Sequence, residues 1–370
     1  GFSMGGAAAW HLAVHYPDKW FAANPGAGFS ETPDFLKVFQ KEELKPYPFE
    51  QTLWQMYDCP VWVRNLRMQP TIAYSGEIDS QKQAADIMAA ASWGLPDSER
   101  FELTHIIAPK TAHSISPAAR AEIEKRLATL DEMRPSMLST HINFSTTTLK
   151  YNKCQWVTIH ALKEHWKPAH IDARWGSSGS NFFSIEAENV REFSLEFAAD
   201  ETPFTSSFAI VSFPDPEKDA ARKVLREENE RRQLDAKSDD PEVRNRARGE
   251  FSRIAKERER EILSENVPNR FNSQTYRPVP SNPKEILRRS DLSWGVRIRC
   301  LDDGHWQLVS PIEPPSKDLV KKHNLQGPID DAFMAPFLFI KPTASGRHPD
   351  VDKWVDVEFN RAVREWHRQM

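Results

Sequence analysis

The chain has 370 residues, of which 39% are hydrophobic, 11% aromatic and 28% charged, enough for about two domains and the makeup of a globular protein rather than a fibre. Its 49 Lys and Arg against 53 Asp and Glu leave a formal charge of -4, which gives no global pull towards nucleic acid or an anionic membrane, and no run reaches the ~18 apolar residues of a spanning helix. Three cysteines far apart, Cys59, Cys154 and Cys300, suggest neither a disulfide framework nor a thiolate metal knuckle.

The chain opens on Gly1-Phe2-Ser3-Met4-Gly5-Gly6, without an initiator methionine or a leader-like stretch, and reads as a piece of something longer; an exported parent would carry its leader upstream. Ala7 to His15 is alanine-rich and predicts a helix that stops before Pro17, because the residue before proline is pushed out of the helical region. Trp20 to Ala23 predicts a short buried strand ending in an Asn24-Pro25-Gly26 turn. Glu31 to Asp58 has no firm period and predicts an excursion above the main fold. Pro70 to Tyr74 and Leu103 to Ala108 predict strands, Gln81 to Trp93 and Pro117 to Leu130 helices. This alternation means a parallel sheet with helices on its faces over residues 1–132.

After Met133 the pattern changes to short Thr-, Val- and aromatic-rich stretches: Asn143 to Leu149, Cys154 to Leu162, Ala169 to Arg174, Phe182 to Glu186, Phe193 to Phe197 and Phe208 to Phe213. They predict an antiparallel β domain over residues 140–213. Residues 214–270 are dominated by balanced charge and predict exposed, ion-paired helices or partial disorder, dispensable for a catalytic core. In residues 271–370 the sequence predicts a hairpin around Asp303-Gly304, a strand within Gly327 to Ile340 and an amphipathic helix from Trp354 to Met370.

Ser3 carries the sharpest chemical signal. Gly1-x-Ser3-x-Gly5 fits a nucleophile elbow, in which a strand turns abruptly into a helix and the serine hydroxyl projects from the bend. The helix that follows would aim its first free amide, that of Met4, at an anion beside Ser3. A serine needs a base and a group that orients it. Asp79 follows the strand ending at Tyr74 and His113 follows the strand ending at Ala108, each just before a helix, where function sits in a parallel sheet. Glu77, in the same loop as Asp79, is the alternative acid. His105 falls inside a strand and reads as a packed or hydrogen-bonded residue, and His11 and His15 as structural or surface residues of the first helix. Trp10, Trp54, Tyr57, Trp62 and Trp93 either line a pocket mouth or fill the core. His160, His165 and His170 have a spacing that suits no known zinc pattern, Gly176 to Ser180 reads as a turn rather than a phosphate loop, and Asp330-Asp331 reads as a turn. The sequence calls for no metal and no cofactor.

With Ser3, Asp79 and His113 in view, the first part resembles the catalytic domain of the prolyl oligopeptidase family of serine peptidases, within the α/β-hydrolase group. The family's G-x-S-x-G-G elbow is matched by Gly1 to Gly6, its acid three residues after a strand-closing glycine by Asp79 after Gly76, with the following helix ending near Gly94, and its histidine loop by Pro109 to His113. The match covers residues 1 to about 130. It departs in Ser80-Gln81-Lys82 after Asp79, where the family has a valine, and in the long chain that follows. That tail, around Leu325-Gln326-Gly327-Pro328-Ile329-Asp330-Asp331-Ala332-Phe333, resembles the carboxyl-terminal part of large bacterial prolyl-oligopeptidase-like proteins.

The resemblance implies the carboxyl-terminal part of an α/β-hydrolase fold, cut at the nucleophile elbow, with a mainly β region and a charged helical insertion after it. It implies a peptidase or, with the same triad, an esterase acting on a peptide or ester substrate, with the missing amino-terminal portion of the parent as a partner. In the family the second oxyanion donor comes from a loop upstream of the elbow, so the chain from Gly1 onward is expected to be weak or silent in catalysis although its parent is active. A different class stays open: a carbohydrate- or protein-binding β module with exposed aromatics around Trp156, Trp166 and Trp175.

Overall fold

The computed structural model describes residues 1–95, 99–101, 103–132, 138–176, 181–199, 201–212, 283–309, 320–329, 331 and 336–369. The charged stretch of residues 214–270 therefore lies outside the described residues, as do most of Gly176 to Ser180 and the first residue of the Asp330-Asp331 pair. The helices are α1 (Met4–His15), α2 (Thr32–Asp34), α3 (Pro48–Trp54), α4 (Lys82–Trp93), α5 (Pro117–Glu132) and α6 (Pro349–Gln369), with a π-helical segment Phe35–Gln40 and a 3-10 helix Cys59–Met68. The strands are β1 (Ile72–Gly76), β2 (Thr104–Ala108), β3 (His141–Thr146), β4 (Lys153–Cys154), β5 (Val157–Leu162), β6 (Ala169–Trp175), β7 (Phe182–Glu188), β8 (Val190–Phe197), β9 (Phe208–Ser212), β10 (Pro283–Leu287), β11 (Trp294–Cys300) and β12 (Trp306–Leu308). Residues 1–320 and 321–370 form two units.

The first unit contains a parallel sheet. β1 pairs with β2 in register Ile72 to Thr104 through Gly76 to Ala108. On the other side of β1 runs a segment that the sequence predicts as a turn. Ala23 accepts from Ile72 N and donates to Pro70 O, Pro25 O accepts from Tyr74 N, and Ala27 N donates to Tyr74 O. Beyond it, Gly26 N donates to Gly1 O and Ser3 N to Gly26 O. Residues 23–27 are thus an interior line of the sheet, while Trp20 and Phe21, expected in a strand, are exposed. The reason for the misreading is chemical. Pro25 has no N–H for Ile72 O, and the side-chain amide of Asn24 takes that place, donating to Ile72 O at 2.7 Å.

Side chains alternate along β1. Ile72 and Tyr74 join Ala108, Ala119 and Ile123 under α5, whereas Ala73 joins Trp10, Val14, Trp62, Leu66, Ala85 and Met88 under α1, the 3-10 helix and α4. Helices therefore cover both faces of a mixed α/β layer structure. Trp10 and Trp62 are core residues, 1% and 0% exposed, which removes them from any pocket mouth; Tyr57 and Trp93 are exposed.

The β region of the same unit is a sandwich of two five-stranded sheets, ordered β10-β9-β7-β6-β3 and β12-β11-β8-β5-β4, with β7 and β9 parallel and the other pairs antiparallel. The Asp303-Gly304 hairpin is present as β11 and β12, and β11 continues the sheet by pairing with β8. Trp156 and Trp175, expected on an open groove, are 3% and 9% exposed and stack with Phe183 and Phe197 in the core. This overturns the exposed-aromatic groove: alternation along β6 turns Trp175 inward, and Trp156, in the turn between β4 and β5, is held there by Nε1 donating to Ser139 O at 2.9 Å. Cys59, Cys154 and Cys300 are buried free thiols.

The sandwich is tied to the α/β layers by Asn65, which is wholly buried. Its Nδ2 donates to Val14 O at 2.8 Å and to Ser145 O at 2.9 Å, and its Oδ1 accepts from Ser145 N at 2.7 Å. Gln69 Nε2 donates to Ala13 O at 2.7 Å, and Gln155 N donates to Asp18 at 2.9 Å. The last carbonyls of α1, which no helix residue can satisfy, are thus met partly by the Asn65 and Gln69 side chains, of which Asn65 also reaches β3.

In the second unit, α6 begins at Pro349 rather than Trp354, with Asp350 and Asp352 in its first turn, where a proline and acidic side chains suit a helix start. Phe337 packs edge-on against Trp366 and Phe339 against Phe359. The strand expected within Gly327 to Ile340 does not form among its described residues: Leu338 and Ile340 are exposed and no neighbour supplies a ladder. No helix among the described residues is long and apolar enough to cross a membrane.

Candidate active site

Ser3 stands between the edge line of the sheet and α1 with φ 56° and ψ -121°, a backbone region that costs a non-glycine residue about 1–3 kcal/mol. The surrounding glycines permit the bend. A Cβ on Gly1 would lie 2.0 Å from Gly5 O, and one on Gly6 would lie 2.1 Å from Gly26 O. Gly5 differs, since a Cβ there would meet nothing within 4 Å; the crowded positions of the motif are Gly1 and Gly6.

The structure brings Ser3, His113 and Asp79 together. Ser3 Oγ lies 2.9 Å from His113 Nε2, and His113 Nδ1 lies 2.9 Å from Asp79 Oδ2. The Asp79 carboxylate is 2% exposed, and its Oδ1 accepts Gln81 N–H at 2.9 Å. A carboxylate can only accept, so His113 Nδ1–H donates to Asp79 and Nε2 is left to accept the Ser3 hydroxyl proton. Phe2 packs on the imidazole with centroids 4.9 Å apart.

Two contacts set the histidine loop. Gly76 closes β1 beneath it, where a Cβ would lie 2.2 Å from Thr111 O and 2.4 Å from Ala112 O. Tyr74 Oη donates to Ser114 O at 2.7 Å and accepts from Ser116 N at 3.2 Å. Sequence reading passed over Tyr74, whose apolar-strand setting conceals that its hydroxyl emerges at the loop. Glu77 turns elsewhere: its Oε2 accepts Lys110 N–H at 2.7 Å, at a residue with φ 51°, so of the two acids Asp79 is the one bonded to the imidazole.

Met4 begins α1 directly after Ser3, and its amide belongs to the first-turn donors that no helical carbonyl can reach. His105 matches the packed reading. Its Nε2 lies 2.9 Å from Ser75 Oγ and its Nδ1 3.6 Å from Asp86 Oδ1, and burial lowers its pKa. That second Ser–His–Asp series is closed to substrate because Ser75 is 0% exposed. His11 and His15 are buried among aromatic rings. His11 lies against Tyr57 at 3.7 Å and within 3.3 Å of Cys59 Sγ, while His15 stacks on Tyr151 at 4.0 Å. Burial pushes His11 down to about 4 and His15 down to about 3.

His160 and His170 lie on different sheets of the sandwich, bonded to Ser194 at 2.8 Å and Ser145 at 3.0 Å, with His165 in the turn between their strands. Among the described residues no group of three His, Cys, Asp or Glu is disposed to hold a metal ion.

No family model matches the chain, and no curated protein matches it. Among solved structures it is similar to a protein from Bacteroides ovatus described as a dipeptidyl aminopeptidase IV, with 13% identity, a TM-score of 0.29, and coverage of 36% of this chain and 19% of that one. It is also similar to a puromycin-hydrolyzing peptidase of Mycobacterium tuberculosis, with 16% identity, a TM-score of 0.29, and coverage of 36% and 21%. The chain thus spans about a fifth of the length of either peptidase.

Proposed function

We propose that the chain carries the catalytic residues of a serine hydrolase of the α/β-hydrolase, prolyl-oligopeptidase type, which cleaves an acyl–nitrogen bond of a peptide through an acyl-enzyme on Ser3. The observation that supports this reading is the unbroken pair of 2.9 Å hydrogen bonds from Ser3 Oγ through His113 to buried Asp79, at a strained residue heading a helix.

In the first step His113 Nε2 takes the Ser3 proton as Oγ bonds to the substrate carbonyl carbon. Asp79 holds the imidazole in the tautomer with Nδ1 protonated and stabilises the imidazolium that forms. The carbonyl oxygen, now anionic, receives the Met4 amide, an interaction worth about 2.7–4 kcal/mol for one such donor. The imidazolium then gives its proton to the leaving amine, the C–N bond breaks, and water repeats the sequence to release the acid and restore Ser3. An ester would pass through the same steps with an alcohol leaving.

The test is covalent labelling with a fluorophosphonate, read by mass spectrometry. The folded chain should add one probe at Ser3 faster than the urea-denatured chain does. Ser3→Ala should abolish the adduct and His113→Gln should slow it by about a thousandfold or more. Labelling of Ser3 at the denatured rate, or an adduct that survives Ser3→Ala, would refute the assignment.

A further inference from the structure

At the amino-terminal ends of β1 and β2, the opposite end of those strands from Asp79 and His113, lies a cavity of about 660 Å³, within the range of small-molecule sites. The end of the 3-10 helix, the entries to both strands and the second half of α5 line it. Leu66, Ile72, Phe101, Leu103 and Leu130 make its apolar wall. The charged side chains on its lining are all cationic among the described residues: Arg67, Arg100, Lys125 and Arg126. Arg126 is held by Glu122 at 2.6 Å and Arg100 Nε by Leu95 O at 3.0 Å. The side chains of Arg67 and Lys125 have no ion pair or hydrogen bond among the described residues.

We propose that this cavity is a binding site for an amphipathic monocarboxylate: its apolar body packs on the Leu66, Ile72 and Phe101 wall, and its carboxylate is drawn by Arg67 and Lys125. The site is separate from Ser3, so its occupancy is read by binding and not by turnover. Isothermal titration of the full chain with octanoate, 1-octanol and acetate tests it. Octanoate should bind saturably with one site per chain. Octanol, which keeps the body and loses the charge, and acetate, which keeps the charge and loses the body, should each bind about tenfold more weakly or worse. The exposed double variant Arg67→Ala with Lys125→Ala should weaken octanoate about tenfold. Absence of saturable octanoate binding, octanol binding as tightly as octanoate, or unchanged affinity in the double variant would overturn the proposal.

Discussion

Replacing Gly76 by alanine tests whether the close approach of the histidine loop to β1 is what sets the catalytic geometry. The added Cβ would lie 2.2 Å from Thr111 O and 2.4 Å from Ala112 O, whereas an ordinary carbon–oxygen contact is about 3.3 Å. Both obstacles are backbone, so no side chain can swing clear, and the loop must retreat by about 1 Å. His113 is the next residue, and a displacement of that size between nucleophile and base costs about a hundredfold in rate. Overpacking should also cost about 1–3 kcal/mol of stability. The assay is the second-order rate of fluorophosphonate labelling at Ser3, normalised to folded protein, beside a urea titration. Gly5→Ala is the steric control: a Cβ there meets nothing within 4 Å, and a helical Gly to Ala change adds up to about 1 kcal/mol of stability. A folded Gly76→Ala protein labelled at the wild-type rate would refute the reasoning, because the loop would then be held by something other than its contact with β1.

The remaining predictions concern charge and burial. Asp79→Asn should lower the Ser3 labelling rate by about four orders of magnitude through the wrong imidazole tautomer, while Glu77→Gln, which touches only Lys110 N, should lower it far less; equal losses would overturn the assignment of Asp79. His11 and His15 bind protons more weakly folded than unfolded, so the unfolded chain holds the extra protons below about pH 6.5 and stability falls as pH drops from there towards 3, by a few kcal/mol in all. Urea midpoints at pH 7.5 and 4.5 should show this, and His15→Phe should flatten the difference; parallel pH curves would contradict it. Asn65→Ala strands Val14 O and both backbone groups of Ser145 and should cost about 3 kcal/mol or more in urea unfolding, with a loss below 1 kcal/mol counting against the bridging role.

The parts of the fold that were readable from sequence are those where local periodicity and tertiary need agree. α1 is alanine-rich, β1 and β2 are short apolar runs and α4 repeats Ala84, Ala85 and Met88 on one face, and the order of these elements alone puts Asp79 and His113 at the same edge of a sheet. The misread parts depend on partners far along the chain. Residues 24–26 look like a turn because Pro25 breaks the ladder, and only the Asn24 amide, a contact across 48 positions, restores it. Trp156 and Trp175 were ambiguous because an indole suits a binding face and a sandwich core equally well until the pleat direction is known. Among the site residues, the serine, acid and base have sequence signatures; Tyr74, which clamps the loop, and Glu77, which holds Lys110, have none.

The nucleophile helix also joins two scales of the molecule. α1 has twelve residues, a rod of about 18 Å, with Ser3 at its tip and Asn65, Gln69 and Tyr151 gripping its base. A rod fixed at its base converts a small tilt there into a larger sweep at the tip. The sandwich is therefore the mounting of Ser3, and under the proposed function substitutions along β3 or around Tyr151 should change the labelling rate at Ser3 without touching the triad. Under that reading the reactivity of Ser3 is set in part from the far end of the helix, about 18 Å away.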